Sequence, residues 1–296
     1  MTDTPAPHRH PAASPRQHWG AEDLWQVLEP LLPGLSIEVV EHLDSTNSEL
    51  TERLRRASRV QQDRRGGRSD DLQPQLLVAT HQTAGRGRLG RRWHSTPGES
   101  LTFSLALPLA RGDWSGLSLA VGLAAVEALD PHGRRLGLKW PNDLILCDDA
   151  EHCGAGQGAR MGRKLGGILI ESVAVGSRRA AVIGIGINVG AQRMVEADYD
   201  TAALAELWPE ATPQAALARI AAPLVQALVA FDRDGFEPLQ GAFARRDVLR
   251  GRLVKTTDPA LPEGVAAGVD VDGALKLAAG GRTHRVLSGE ISVRLA

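Results

Sequence analysis

Residues 82–93 hold the densest chemistry in the chain: Gln82, Gly85, Arg86, Gly87, Arg88, Gly90, Arg91, Arg92 and Trp93, with no acid until Glu99. Four arginines without a counter-charge suit an anion. Guanidinium forks pair two-pronged with phosphate oxygens, and a glycine-rich backbone lets N–H groups approach the same oxygens. Ordering such a loop is entropically costly and its like charges repel. The expectation is a loop that folds over its ligand and is disordered without it. Trp93 at its end offers a ring face for a base. The plainer alternative is a solvated basic loop ending on a core tryptophan. The spacing also fits G-x-G-x-x-G at Gly85, Gly87 and Gly90. A dinucleotide fingerprint needs a helix directly after it, whose N-terminus meets the pyrophosphate. Arg91-Arg92-Trp93-His94-Ser95-Thr96-Pro97-Gly98 starts no helix, and no acid stands at ribose distance on a following strand. A Rossmann site is therefore rejected.

Three other stretches carry polar residues where apolar ones are the rule. Lys139-Trp140-Pro141-Asn142-Asp143 lies between two apolar runs and, alone, is no more than a hairpin turn. Lys164-Leu165-Gly166-Gly167-Ile168-Leu169-Ile170-Glu171 opens an apolar strand with a lysine beside two glycines. That lysine can enter a pocket as a point charge while the glycines leave room for a ligand; an ordinary edge lysine is the alternative. Gly184-Ile185-Gly186-Ile187-Asn188-Val189 ends in an Asn whose burial would demand partners, from a ligand or a neighbouring loop. Only four of the 34 basic residues are lysines, and two of these, Lys139 and Lys164, fall in the stretches just named; Lys255 and Lys276 do not.

Helical spacing covers 21–32, stopped by Pro33-Gly34, and a strand covers 36–43. Asp44-Ser45-Thr46-Asn47 supplies N-cap oxygens for a helix over 48–57. A mobile loop is expected over 58–74, strands over 75–81 and 101–107, and a helix over 114–129. Residues 148–163 form a polar insert after the apolar runs of 136–147. Strands 164–175 and 179–189 read as a hairpin across Gly176-Ser177. Residues 201–248 are helical, broken near 234–238. Short strands at 252–256, 264–271, 274–278, 282–287 and 290–294 predict a small β-barrel. Strict βαβ alternation is missing, so the fold class is α+β with a mixed, largely antiparallel sheet. The expected organisation is a disordered tail over 1–20, a catalytic unit over 21–248 and a β module over 249–296.

The 296 residues carry 34 basic against 35 acidic groups, so no global field marks a nucleic-acid binder. A hydrophobic share of 43% supports a packed core. Two cysteines, Cys147 and Cys153, exclude a disulfide scaffold. Two free thiols in a reducing cytosol are expected there, ahead of a loop disulfide or a metal site. No export signal precedes the fold, and the apolar stretches 117–126 and 220–231 are too short or interrupted to span a bilayer. The expectation is a cytoplasmic protein without a membrane partner. His8, His10 and His18 sit in the tail and suggest no working metal site.

Taken in order, DSTN at 44–47, QTAGRGRLGRRW at 82–93, KWPND at 139–143, KLGGILIE at 164–171 and GIGINV at 184–189 resemble the biotin protein ligases. The resemblance spans residues 36–296, because Gly289-Glu290-Ile291-Ser292 and its β module look like the family's SH3-like domain. It implies a catalytic fold like that of class II aminoacyl-tRNA synthetases. It also implies a two-step reaction: biotin and ATP give biotinyl-5′-AMP, and a lysine of a biotin carboxyl carrier protein then takes the biotin. By the resemblance, biotin falls on Ser45, Thr46, Asn47, Gln82, Arg86, Gly87, Arg88 and Lys164. The adenylate falls on Gly85, Arg86, Arg88, Arg91, Trp93, Asn142, Lys164 and Asn188. Catalysis falls on Lys164, Arg86, Arg88 and Asp143, with Asp143 orienting or deprotonating the acceptor amine. Mg²⁺ is expected with ATP, its ligands unknown. Some 40 residues before Asp44 are too few for a winged-helix domain and its linker, so a ligase without repressor function is expected. The insert 148–163 reads as a tolerated loop. Alternatives are a lipoate or octanoate transfer enzyme of the same fold and, in another class, a nucleic-acid-binding protein. A homodimer stays open.

Overall fold

The computed structural model describes residues 19–63, 72–148, 162–191, 200–287 and 293–295. Residues 1–18 of the expected tail, most of the insert and Gly289-Glu290-Ile291-Ser292 lie outside these residues, while Trp19, at the tail's end, packs against the core. The chain begins with α1 (Ala21–Leu28), β1 (Ser36–Leu43), α2 (Thr46–Asp63) and β2 (Gln75–Gln82). A small hairpin, β3 (Gly85–Arg86) and β4 (Arg92–Trp93), leads to β5 (Ser100–Pro108) and α3 (Leu117–Leu129). Then come β6 (Leu136–Lys139), β7 (Asp143–Leu146), β8 (Arg163–Val175), β9 (Arg178–Asn188), α4 (Pro213–Asp234) and α5 (Gln240–Arg246). Five strands close the chain: β10 (Leu253–Thr256), β11 (Glu263–Val269), β12 (Leu275–Ala279), β13 (Arg282–Val286) and β14 (Val293–Leu295).

Seven strands form one sheet in the order β1-β2-β5-β9-β8-β7-β6. Only β1 and β2 run parallel, joined through α2; the other pairs are antiparallel. The sheet is mixed and largely antiparallel, as expected. α2 covers one face through Leu50 and Leu54, which pack on Leu77, Ala106, Val173 and Val182. The opposite face meets α1, α3 and α4. β5 is buried on both faces, its polar Ser100, Thr102 and Ser104 alternating with Leu101, Phe103 and Leu105 of the core. α4 buries Ala216, Leu217, Ile220, Leu224, Leu228 and Phe231 at helical spacing. Each large apolar side chain of that stripe is worth roughly 1.5–3 kcal/mol.

β10–β14 form a second, antiparallel sheet in the order β13-β12-β11-β10-β14, consistent with an SH3-like module. It docks through backbone contact: a Cβ on Gly273 would come within 2.7 Å of the Gly116 Cα. The indole Nε1 of Trp140 donates to the Gly273 carbonyl at 3.0 Å.

Several boundaries differ from expectation. α1 ends at Leu28 because Pro30 cannot supply the next helical N–H. α2 starts two residues early, at Thr46, and runs to Asp63, into the start of the expected loop. Its Arg and Gln residues are good helix formers, and the ion pairs Arg53–Glu49 and Arg56–Glu52 join successive turns. α4 is continuous through Pro223, and by length and composition it alone among the described residues passes as a membrane span. Its buried stripe makes it a core helix. Cys147 is disulfide-bonded rather than a free thiol; Cys153 lies outside the described residues.

Candidate active site

On the α2 side of the sheet, the middle strands lose their side chains. Gly167 and Gly186 are register partners on β8 and β9, and Gly184 lies opposite Leu169. Each glycine is used. A Cβ on Gly184 would meet Asn47 Oδ1 at 2.2 Å, and one on Gly186 would meet the Trp93 indole at 2.4 Å. The missing side chains open a cleft whose space, counted out to the open mouth, is roughly 880 Å³.

One end of the cleft is neutral and polar. It is built by the first turn of α2, where Ser45, Thr46 and Asn47 are each 3% exposed. Ser45 caps the helix, its Oγ accepting from the Ser48 N–H at 3.4 Å. Gln82 Oε1 accepts from the Thr46 N–H at 2.7 Å, which fixes the amide and leaves its NH₂ for the cleft. Ser104 Oγ lies 2.6 Å from both Thr46 Oγ1 and Asn47 Oδ1. One hydroxyl proton cannot serve both contacts. The amide oxygens can only accept, so Thr46 Oγ1 donates to Gln82 Oε1 at 3.1 Å and Ser104 donates to Asn47, whose Nδ2 donates to the Leu169 carbonyl and to Glu171.

The other end is charged. Arg86, Arg88, Arg91, Arg92, Lys139 and Lys164 line the cleft against one carboxylate, Asp143. Lys164 reaches it by a register shift. β7 pairs Leu144 with Gly166 but Ile145 with Lys164, so Leu165 is one extra residue on β8. Side chains alternate along a strand, so this bulge sends Leu165 into the core and Lys164 to the cleft. The Lys164 ammonium sits 2.6 Å from Asp143 Oδ1, and Lys139 sits 3.7 Å from Oδ2. Trp140-Pro141, between them, is a cis peptide. Asn142 holds the turn to β8 by donating to the Ile168 carbonyl at 2.9 Å, and it accepts from Arg88 at 3.3 Å.

The charge is not balanced. Burial, Lys164, Arg91 and Arg294 lower the Lys139 pKa, with Asp143 opposing. Burial and Arg91 likewise lower the Arg88 pKa. A cleft that depresses its own cations is short of negative charge, which an anionic ligand would supply. The arginine loop takes a defined path over this end: β3 pairs with β4, and Gly87 N–H donates to the Arg91 carbonyl at 2.8 Å. At its tip Leu89 and Gly90 are left-handed, with φ 57° and 72°.

Twelve of the expected site residues line this cleft: Ser45, Thr46, Asn47, Gln82, Arg86, Gly87, Arg88, Arg91, Trp93, Asn142, Asp143 and Lys164. Gly85 and Asn188 do not. Gly85 is a hairpin position, where a Cβ would strike the Trp93 carbonyl at 2.5 Å. Asn188 is buried under the cleft and donates to the Ala202 carbonyl at 3.2 Å, so a neighbouring loop satisfies it. Sequence reasoning missed Lys139, Trp140, Phe103 and Val293 as lining residues. Lys139 had a signal, since it stands four residues before Asp143; Val293 comes from the distant β14 and had none.

Fold and cleft together define a small-molecule enzyme site that joins a neutral polar end to an anion-binding end. The biotin/lipoate A/B protein ligase family model matches residues 58–188. The bifunctional ligase/repressor BirA of Escherichia coli is 32% identical over 90% of this chain and 76% of its own. The biotin–[acetyl-CoA-carboxylase] ligase of Mycobacterium tuberculosis is 30% identical over 86% of this chain and 88% of its own. The biotin protein ligase of Aquifex aeolicus in complex with biotin and ATP superposes with a TM-score of 0.67 at 25% identity, covering 88% of this chain and 99% of that one. The chain belongs to the biotin protein ligases.

Proposed function

We propose that the two ends of the cleft divide the work of ATP-dependent biotin ligation. The observation that carries this is their juxtaposition: uncharged donors and acceptors at one end, six cations over one carboxylate at the other. Ser45, Thr46, Asn47 and Gln82 suit the ureido ring of biotin, which is polar and uncharged. Arg86, Gly87, Arg88 and Lys164 then receive its carboxylate where the nucleotide phosphates also lie. A carboxylate oxygen attacks the α-phosphorus, the bond to the β-phosphate oxygen breaks, and pyrophosphate leaves. Lys164, Arg86, Arg88 and Arg91 offset the charge that gathers on the oxygens. Trp93 and Asn142 border the adenylate.

In the second step the amine of a carrier-protein lysine attacks the acyl carbon and AMP departs. Asp143 Oδ1 is held by Lys164, while Oδ2 makes the longer contact, 3.7 Å, to Lys139. We assign Oδ2 to orienting the incoming ammonium and accepting its proton. Among the described residues no group of three or more metal-ligating side chains is assembled. Mg²⁺ is inferred from the use of ATP and enters with it as part of the nucleotide substrate. The acceptor is a biotin carboxyl carrier protein of a carboxylase, and the working compartment is the cytoplasm. The near-equal basic and acidic totals support a protein acceptor over nucleic acid.

The test is biotin-dependent ATP–pyrophosphate exchange, followed by labelling of a carrier domain, with lipoate as the control acid. Exchange and labelling with biotin alone are expected. Activation of lipoate in place of biotin, or no transfer under any condition, would overturn the reading.

A further inference from the structure

Glu171 lies on β8 beside the cleft but outside its lining. Its two carboxylate oxygens serve two different elements. Oε2 accepts from Asn47 Nδ2 at 3.0 Å, in the first turn of α2. Oε1 lies 3.1 Å from an Arg86 guanidinium nitrogen, at the start of the arginine loop. The other arm of Arg86 donates to Ser48 Oγ at 3.2 Å, again on α2. Asn47 is fixed on its remaining sides by the Leu169 carbonyl and Ser104, so the carboxylate is anchored from below. Arg86 is half-exposed and would otherwise swing into solvent.

We propose that Glu171 is a positioning residue: it latches Arg86, and with it the loop, over the cleft, and so sets how long an activated acyl group is kept from water. The inference rests on the proposed role of that loop in covering the adenylate. The physical reasoning is preorganisation. Four like-charged arginines on a glycine-rich hairpin repel one another, and an anchored carboxylate at the hairpin's base lowers the cost of closing it before any ligand arrives. A half-exposed pair is weak enough to release, as a loop that must admit substrates requires.

The experiment uses the full chain without ligands. Limited trypsin digestion is mapped to the bonds after Arg88 and Arg91 in wild type, Glu171→Gln and Glu171→Ala. The Gln variant keeps an acceptor for Asn47 and loses the charge. Cleavage about two- to five-fold faster at these bonds is expected, the scale of one exposed ion pair. The melting temperature of the Gln variant should be unchanged. Reversing the pair, Arg86→Glu with Glu171→Arg, should restore protection. In a second arm, wild type and Glu171→Gln receive biotin, ATP and pyrophosphatase without acceptor. Counted per adenylate formed, AMP should appear in solution faster from the variant by a similar factor. Wild-type cleavage rates in Glu171→Gln would overturn the latch. Faster cleavage with no adenylate from wild type would leave the latch standing and sink the functional reading instead.

Discussion

Lys164→Ala tests the charge argument most directly. The ammonium is 16% exposed and held 2.6 Å from Asp143, so it acts in a partly desolvated site. At a separation of about 3 Å and an effective dielectric of about 20, a unit charge on a phosphoryl oxygen gains roughly 5 kcal/mol from it. Asp143 offsets part of that, since it sees the same ammonium. Removing one preorganised donor from a developing oxyanion costs about 2.7–4 kcal/mol, a factor of roughly 10² to 10³ in rate. A lysine that merely paired with Asp143 at an edge would be worth about 1 kcal/mol, or fivefold. The two cases are separated by more than an order of magnitude. The fold should survive, because Asp143 keeps Lys139 at 3.7 Å. The assay is biotin-dependent ATP–pyrophosphate exchange at saturating substrates, with a melting curve as the control for folding. Exchange should fall by about 10² to 10³ with the melting temperature nearly unchanged. Activity within fivefold of wild type would refute the argument that this charge acts on the reacting oxygens.

Three further perturbations probe the frame around that lysine. Gly186→Ala places a methyl 2.4 Å from the Trp93 indole, so the ring must move; overpacking should cost about 1–3 kcal/mol and raise the KM for ATP more than that for biotin in steady-state assays. Asp247 is pushed up to about 6 by burial, against the Leu249 and Arg250 N–H groups and the Arg250 charge, and its Oδ2 has no partner among the described residues. The folded protein therefore holds this proton more tightly than the unfolded chain, and stability should fall as pH rises from about 4 to about 6, by roughly 3 kcal/mol in total. Asp247→Asn should be more stable than wild type at pH 7 and equal to it near pH 4 in urea unfolding; a pH-independent difference would contradict this. Arg246→Ala strips the buried Asp130 of its cation at 3.1 Å and leaves the Leu136 carbonyl without that donor. Its cost should be about 3–5 kcal/mol by denaturant titration, with substrate affinities in the surviving folded fraction unchanged.

Much of the cleft was legible because its residues break local rules in ways that a ligand explains. Arginines without acids and a lysine opening an apolar strand lie in segments far apart along the chain. No local structural need accounts for them together. Glycine was harder to read. Gly85 and Gly186 look alike in sequence, yet one lets a hairpin close against Trp93 and the other forms the floor on which Trp93 lies. The need of a buried Asn188 amide for partners left a ligand and a neighbouring loop equally open, and only the family resemblance placed it at the adenylate. The partner is the Ala202 carbonyl, on a stretch expected to be helical that in the structure precedes α4, which begins only at Pro213.

The largest gap between sequence and site is the register shift at Leu165. Alternation alone puts Lys164 and Gly167 on opposite faces of β8, so a strict two-residue period would bury the lysine among Leu144, Ile168 and Ile187. An unpaired ammonium there would carry a desolvation penalty of several kcal/mol. The bulge removes that conflict by giving the core a leucine and the cleft a lysine from adjacent positions. It also fixes where the charge lands: one strand over from Asp143 and beside Gly167, where even a Cβ would lie only 3.5 Å from the Lys164 Nζ. A bulge has no signature in composition or periodicity, because it depends on how β7 and β8 align in space. The need for it was nevertheless visible, since Lys164-Leu165-Gly166-Gly167 cannot satisfy both core and cleft at a regular period. In this chain the fault in the pattern is what places the residue on which the proposed chemistry depends.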